Sequence, residues 1–152
     1  KMPIANNKQL QLNELVQNAY NLFKEEENVQ VSLNLTEEDC QIFADKTQIM
    51  RVLNNLLKNA VQAIPEDQPG RIRLSLQVHN KKALIQVSDN GIGIPIEQEE
   101  DIFIPNFTTK SSGTGIGLAM SKTIVEMAKG SIYFESEVNK GTDFFVELPL
   151  LG

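Results

Sequence analysis

The 152-residue sequence predicts an α+β fold, a two-layer sandwich with about three helices covering one face of a mixed, mostly antiparallel sheet of about five strands. Two observations lead there. Apolar residues recur at three- and four-residue spacing in two long segments and alternate at a spacing of two in several short ones. The elements follow in the order helix, two short strands, helix, hairpin, glycine-rich loop, helix, hairpin.

The first helix is expected over 13–28, opened by Asn13, with apolar residues at 15, 16, 19, 20, 22 and 23. VSLNL (31–35) alternates as a strand, and the acidic 36–39 stretch turns into QIFA (41–44). Asp45 with Gln48 three residues on resembles a capping box, starting a helix from Lys46 to about Ile64 that Pro65 and Pro69-Gly70 stop. RIRLSLQV (71–78) and ALIQVSD (83–89) form an antiparallel hairpin across a short polar connection that holds His79. Glycine and threonine crowd 91–117, broken by a short helix that Pro95 and the acids Glu97, Glu99, Glu100 and Asp101 start. A helix over about 115–128 should end on Gly130 as a left-handed residue. A second hairpin, 131–138 with 142–150, closes the chain around Asn139-Lys140-Gly141.

Composition narrows the function classes. Twenty acidic and 14 basic residues give a net charge of −6; with two tyrosines and no tryptophan, this argues against nucleic-acid binding. The single cysteine, Cys40, excludes an internal disulfide, and with one histidine there are too few ligands for a Cys/His zinc site. No apolar run approaches the ~18 residues of a membrane span. The expectation is one cytoplasmic domain over 1–152, monomeric by itself and, since it starts at Lys1 without a methionine, cut from a longer protein.

Three stretches could carry chemistry. On the helix at 46–64, Arg51, Asn55, Asn59 and Gln62 recur at steps of four, four and three as one polar stripe. Asparagine is a poor helix former, so the stripe reads either as neutral oxygen ligands for a hard cation such as Mg²⁺ or as an indifferent solvated face. Asp89-Asn90-Gly91-Ile92-Gly93-Ile94-Pro95 follows a strand. It reads as a plain turn, or as a loop whose glycines admit a ligand to the backbone, with Asp89 accepting from an amino group. Between 108 and 117 stand three glycines, five hydroxyl residues and Lys110, leading into a helix. Amides at that helix start suit phosphates, with Phe103 and Phe107 as anchors. Other glycine motifs fail in detail: in a Gly-x-Gly-x-x-Gly pattern starting at Gly91 or Gly113 the sixth position is Ile96 or Leu118, and no Gly-x-x-x-x-Gly-Lys-Ser/Thr occurs.

Together these stretches resemble the ATP-binding catalytic domain of sensor histidine kinases, in the superfamily shared with gyrase B. Asn55-Leu56-Leu57-Lys58-Asn59-Ala60 resembles the N box and Asp89-Asn90-Gly91-Ile92-Gly93 the first glycine box. Phe103 to Lys110 resembles the F box, Gly113-Thr114-Gly115-Ile116-Gly117-Leu118 the second glycine box, and Gly141-Thr142-x-Phe144 the third. The resemblance implies the Bergerat-type α/β sandwich, ATP and Mg²⁺ as cofactors, and Asp89 on the adenine amine with Thr142 assisting. It implies Gly93 leaving room for the base, Asn59 as the Mg²⁺ ligand with Asn55 beside it, and Gly91, Ile94 and Ala63 at the nucleotide. Thr109, Lys110, Gly113, Thr114, Gly115, Gly117 and Leu118 would meet the phosphates.

Two positions depart from the family pattern. Ile104-Pro105-Asn106 replaces a Glu-Pro-aromatic run, and Gln62-Ala63 stands where many relatives carry a basic or aromatic residue that contacts phosphate or base. Relatives that hydrolyse ATP carry a glutamate four residues before the metal-binding asparagine; Asn55 stands here and cannot act as a base. The implied activity is donation of the γ-phosphate to a histidine on a separate dimerisation domain, of which residues 1–8 would be a remnant, with a response regulator downstream. The full protein could then be a membrane-bound sensor. His79 is read as a hairpin residue, not an acceptor. The alternatives are a serine kinase of the same fold, like an anti-sigma factor, or a partner-binding module without nucleotide.

Overall fold

The computed structural model describes residues 6–104 and 115–152. Seven strands and three helices are assigned among them: β1 (Lys8–Gln11), α1 (Leu12–Phe23), β2 (Val29–Leu35), β3 (Gln41–Ala44), α2 (Lys46–Ala63), β4 (Gly70–His79), β5 (Lys82–Asp89), α3 (Gly115–Met127), β6 (Ser131–Glu137) and β7 (Gly141–Pro149). The main sheet has the order β2-β4-β5-β7-β6. Only β2 and β4 run parallel; the other three pairs are antiparallel. This is the α+β sandwich that the hydrophobic spacing predicts.

Alternation decides which face of the sheet is covered. Ile72, Leu74 and Leu76 of β4, Ala83, Ile85 and Val87 of β5, and Phe144, Val146 and Leu148 of β7 all point into the core and are at most 5% exposed. The helices cover that face, with α2 between α1 and α3. Leu53, Leu56 and Leu57 of α2 are fully buried, each stabilising the fold by roughly 1.5–3 kcal/mol. The Asp45 carboxylate accepts the Gln48 N–H at 3.2 Å, so the expected cap forms. It also accepts the Asn6 N–H at 2.7 Å, which is the main reason that its pKa lies below the ordinary aspartate value.

Several boundaries differ from expectation, each for a local reason. Helix α1 starts at Leu12, because the Asn13 side chain crosses to another segment instead of capping. Its carboxamide accepts the Cys40 N–H at 2.8 Å and donates to the Glu38 carbonyl at 2.9 Å. It stops at Phe23, well before residue 28, since Glu25, Glu26 and Glu27 would crowd the negative end of the helix dipole. Strand β1 was not expected: KQLQ has no apolar alternation, yet it pairs with β3 in a separate two-stranded sheet. Lys8 opens that strand, and residues 1–5 lie outside the described ones. The Pro95 helix shrinks to one 3₁₀ turn, Ile96–Gln98. After α3 the left-handed residue is Lys129 (φ 68°), not Gly130. Gly130 is needed for another reason, since a Cβ there would stand 2.1 Å from the Glu147 carbonyl oxygen. His79 ends β4 beside the tight Asn80-Lys81 turn, whose residues both have positive φ, so it is the hairpin residue expected.

Candidate functional site

Strand β5 delivers Asp89 to the end of the sheet where α2 also ends. Ile72 of β4 lies opposite it, and β7 flanks it through the Ser88–Asp143 pairing. Asp89 is 9% exposed. One carboxylate oxygen accepts the N–H of Gly91 at 2.8 Å and that of Thr142 at 3.2 Å. Two backbone donors therefore fix its orientation. The first and third glycine boxes, distant in sequence, meet on this one side chain.

The glycines explain how they can meet. A Cβ on Gly91 would lie 2.4 Å from the Ala63 carbonyl oxygen and 2.7 Å from the Ala63 Cβ. Ala63 in turn accepts the Ile92 N–H at 3.0 Å, so α2 ends directly against the first glycine turn. Gly93 has φ 77°, and a Cβ there would meet the Glu137 carbonyl oxygen at 2.4 Å. At Gly141 (φ 128°) the clash would be with the Asp89 carbonyl oxygen at 2.0 Å. Each glycine thus has a packing reason in the protein's own backbone.

Ser136 completes this end of the site and was missed in the sequence. Its Oγ accepts the Ile94 N–H at 2.7 Å and lies 2.8 Å from the Thr142 Oγ1. A serine at an alternating strand position carries no motif; only its register across from Thr142 reveals it. Asn90 was weighed as turn chemistry, and the turn it makes is specific. Its side chain accepts the Arg71 N–H at 2.7 Å and donates to the Pro69 carbonyl, while Gln68 donates to its backbone oxygen. The loop after α2 is thereby clasped to the glycine turn.

The polar stripe of α2 leads away from Asp89. Asn59 stands four residues, about 6 Å along the axis, before Ala63 and is half-buried, its side chain making no hydrogen bond to another described residue. Asn55 donates to the Gly117 carbonyl at 3.3 Å and to the Ser121 Oγ at 3.4 Å, tying α2 to the first turns of α3. Leu118 packs on the core. Phe103 anchors its segment as expected, against Phe134 and Phe144, with the Lys122 ammonium 5.4 Å over its ring. Gly115 begins α3. Phe107, Thr109, Lys110, Gly113 and Thr114 lie outside the described residues.

Among the described residues no three His, Cys, Asp or Glu side chains converge as a metal site. The neutral oxygen of Asn59 suits a Mg²⁺ that arrives with phosphate oxygens and keeps some of its waters. No helix among the described residues is long and apolar enough to cross a membrane.

Comparison with known proteins agrees with this geometry. Residues 44–152 match the histidine kinase-, DNA gyrase B- and HSP90-like ATPases. Sporulation kinase D of Bacillus subtilis is 44% identical over 124 residues, 81% of this chain and 24% of that protein. The chain therefore spans about a quarter of that relative's length. The catalytic domain of histidine kinase ThkA, solved free of nucleotide, superposes with a TM-score of 0.84 at 36% identity, covering 95% of this chain and 96% of that one. ThkA in complex with the response regulator protein TrrA gives 0.81 at 32% identity, over 99% of this chain and 44% of that one. The fold and these matches agree: the chain belongs to the histidine kinase-, DNA gyrase B- and HSP90-like ATPase family, as a protein histidine kinase catalytic domain.

Proposed function

We propose that the domain binds ATP with Mg²⁺ in the cleft beside α2 and donates the γ-phosphate to a histidine on a separate helical dimerisation domain. The observation that carries this reading is the buried, backbone-held Asp89 carboxylate at the very end of α2, with Asn59 one turn back along that helix. The carboxylate accepts from the adenine amine, and the ring lies against the glycine turn. The Asn59 oxygen holds Mg²⁺, whose charge offsets that of the phosphates. Lys110 and the amides at the start of α3 take the phosphate oxygens, as the resemblance implies.

Transfer fits better than hydrolysis. Asn55 is an amide already committed to α3 as a donor, and it cannot take a proton from water near neutral pH. In transfer, a nitrogen of the acceptor imidazole attacks the γ-phosphorus as the bond to the β-phosphate oxygen breaks, and ADP leaves. His79 is not that acceptor. It stands beside Lys82, at the opposite end of β5 from Asp89, roughly 23 Å away along the strand. The acceptor therefore lies on another domain, and a response regulator is the downstream recipient.

Calorimetric titration with AMPPNP, with and without Mg²⁺, tests the reading. Asp89→Asn removes a charged hydrogen-bond acceptor and should weaken binding about tenfold to a hundredfold, with a much smaller change in melting temperature. Asn59→Ala should abolish the Mg²⁺ dependence. Loss of folding in step with loss of binding, or unchanged metal dependence, would sink the corresponding assignment. Mixing with purified acceptor domains separates histidine from serine transfer.

A further inference from the structure

The polar stripe of α2 continues past Asn55 to Arg51, and the direction of the nucleotide gives that residue a role. The adenine end of the cleft is fixed where α2 stops, because Ala63 touches both Gly91 and Ile92. Each step of four residues carries the stripe about 6 Å towards the start of the helix. A nucleotide with its base on Asp89 and its metal at Asn59 therefore lies with its terminal phosphate towards Asn55 and Arg51.

Among the described side chains of α2 at that end, donors are few. Both hydrogen bonds of the Asn55 amide nitrogen to described residues go to α3, which leaves only its carbonyl oxygen, an acceptor that cannot bind phosphate. Arg51 carries five N–H donors on an exposed side chain; its hydrogen-bond partners among the described residues are neutral and long, and the Asp45 carboxylate acts on it only as a minor, more distant charge. It reaches the Gln48 Oε1 at 3.4 Å and the Met120 Sδ of α3 at 3.7 Å, across the same helix pair that Asn55 bridges. The nearby Asp45 carboxylate accepts the N–H groups of Asn6 and Gln48 instead. Helix α2 bears Lys46, Arg51 and Lys58 and no acid, in a chain whose net charge is −6. The cleft's far wall is thus a local reserve of positive charge.

We infer that the Arg51 guanidinium contacts the γ-phosphate of bound ATP and so makes the domain distinguish ATP from ADP. The inference rests on the nucleotide orientation proposed above. A guanidinium fits a phosphoryl group by paired N–H donors, and neutralising the transferring group favours its departure from ADP.

Titration of wild type, Arg51→Gln and Arg51→Lys with AMPPNP and with ADP, each with Mg²⁺, tests it. Arg51→Gln should weaken AMPPNP about tenfold and ADP by less than about twofold, with an unchanged melting temperature because the side chain is exposed. Arg51→Lys should retain part of the preference. Equal losses for both nucleotides, or none, overturn the role of Arg51 while leaving the nucleotide site intact. A wild-type chain that binds neither nucleotide overturns the underlying orientation and this inference with it.

Discussion

Where α2 ends, Gly91, Gly93 and Gly141 bring the first glycine turn, α2 and the β6–β7 hairpin into contact so close that a single methyl group would strike a backbone carbonyl at each. Two turns and more back along the same helix, the side-chain hydrogen bonds between α2 and α3 among the described residues are long ones, 3.3 and 3.4 Å from Asn55 and 3.7 Å from Arg51, with half-buried Asn59 one turn away. The Asp89 end is held by backbone contacts. Among the described residues, the Asn55 end is held by side chains. On the function proposed above, recognition of the base is tied to stability, whereas handling of the phosphates can vary at less cost to the fold.

Substitutions at the two ends should separate them. Gly141→Ala forces a Cβ against the Asp89 carbonyl at an unfavourable φ and should lower stability by about 3 kcal/mol, seen as an early urea midpoint together with lost nucleotide binding. Ser136→Ala leaves the Ile94 N–H without its acceptor and should cost about 1–2 kcal/mol, with adenine nucleotides weakened through the displaced turn. Asn55→Ala removes two long bonds but improves helix propensity by several tenths of a kcal/mol, so the melting temperature should barely move while phosphate transfer falls. A large stability loss at Asn55, or none at Gly141, would erase the distinction between the ends.

The sequence made much of this visible, for identifiable reasons. The hairpins and α2 were legible because alternation and helical spacing reflect burial directly, and Pro65, Asp45 and the Asn80-Lys81 turn sit at their boundaries. The glycine turns were legible as sites of close approach, although what approaches is also the protein's own chain. Strand β1 was not legible because its pairing with β3 rests on backbone bonds and a polar sequence. Ser136, Asn13 and Asn90 were missed in their actual roles because each reaches a partner far along the chain, which no local pattern encodes.

The junction at Asp89 also has a consequence for how the chain folds. The β4–β5 and β6–β7 hairpins are local and can form early, whereas the β5–β7 register joins residues as remote as Ile85 and Val146. The Thr142 N–H reaches the Asp89 carboxylate only after those two hairpins dock. On the function proposed above, the contact to the base is complete only once this long-range pairing has formed, and ligand capture would report it.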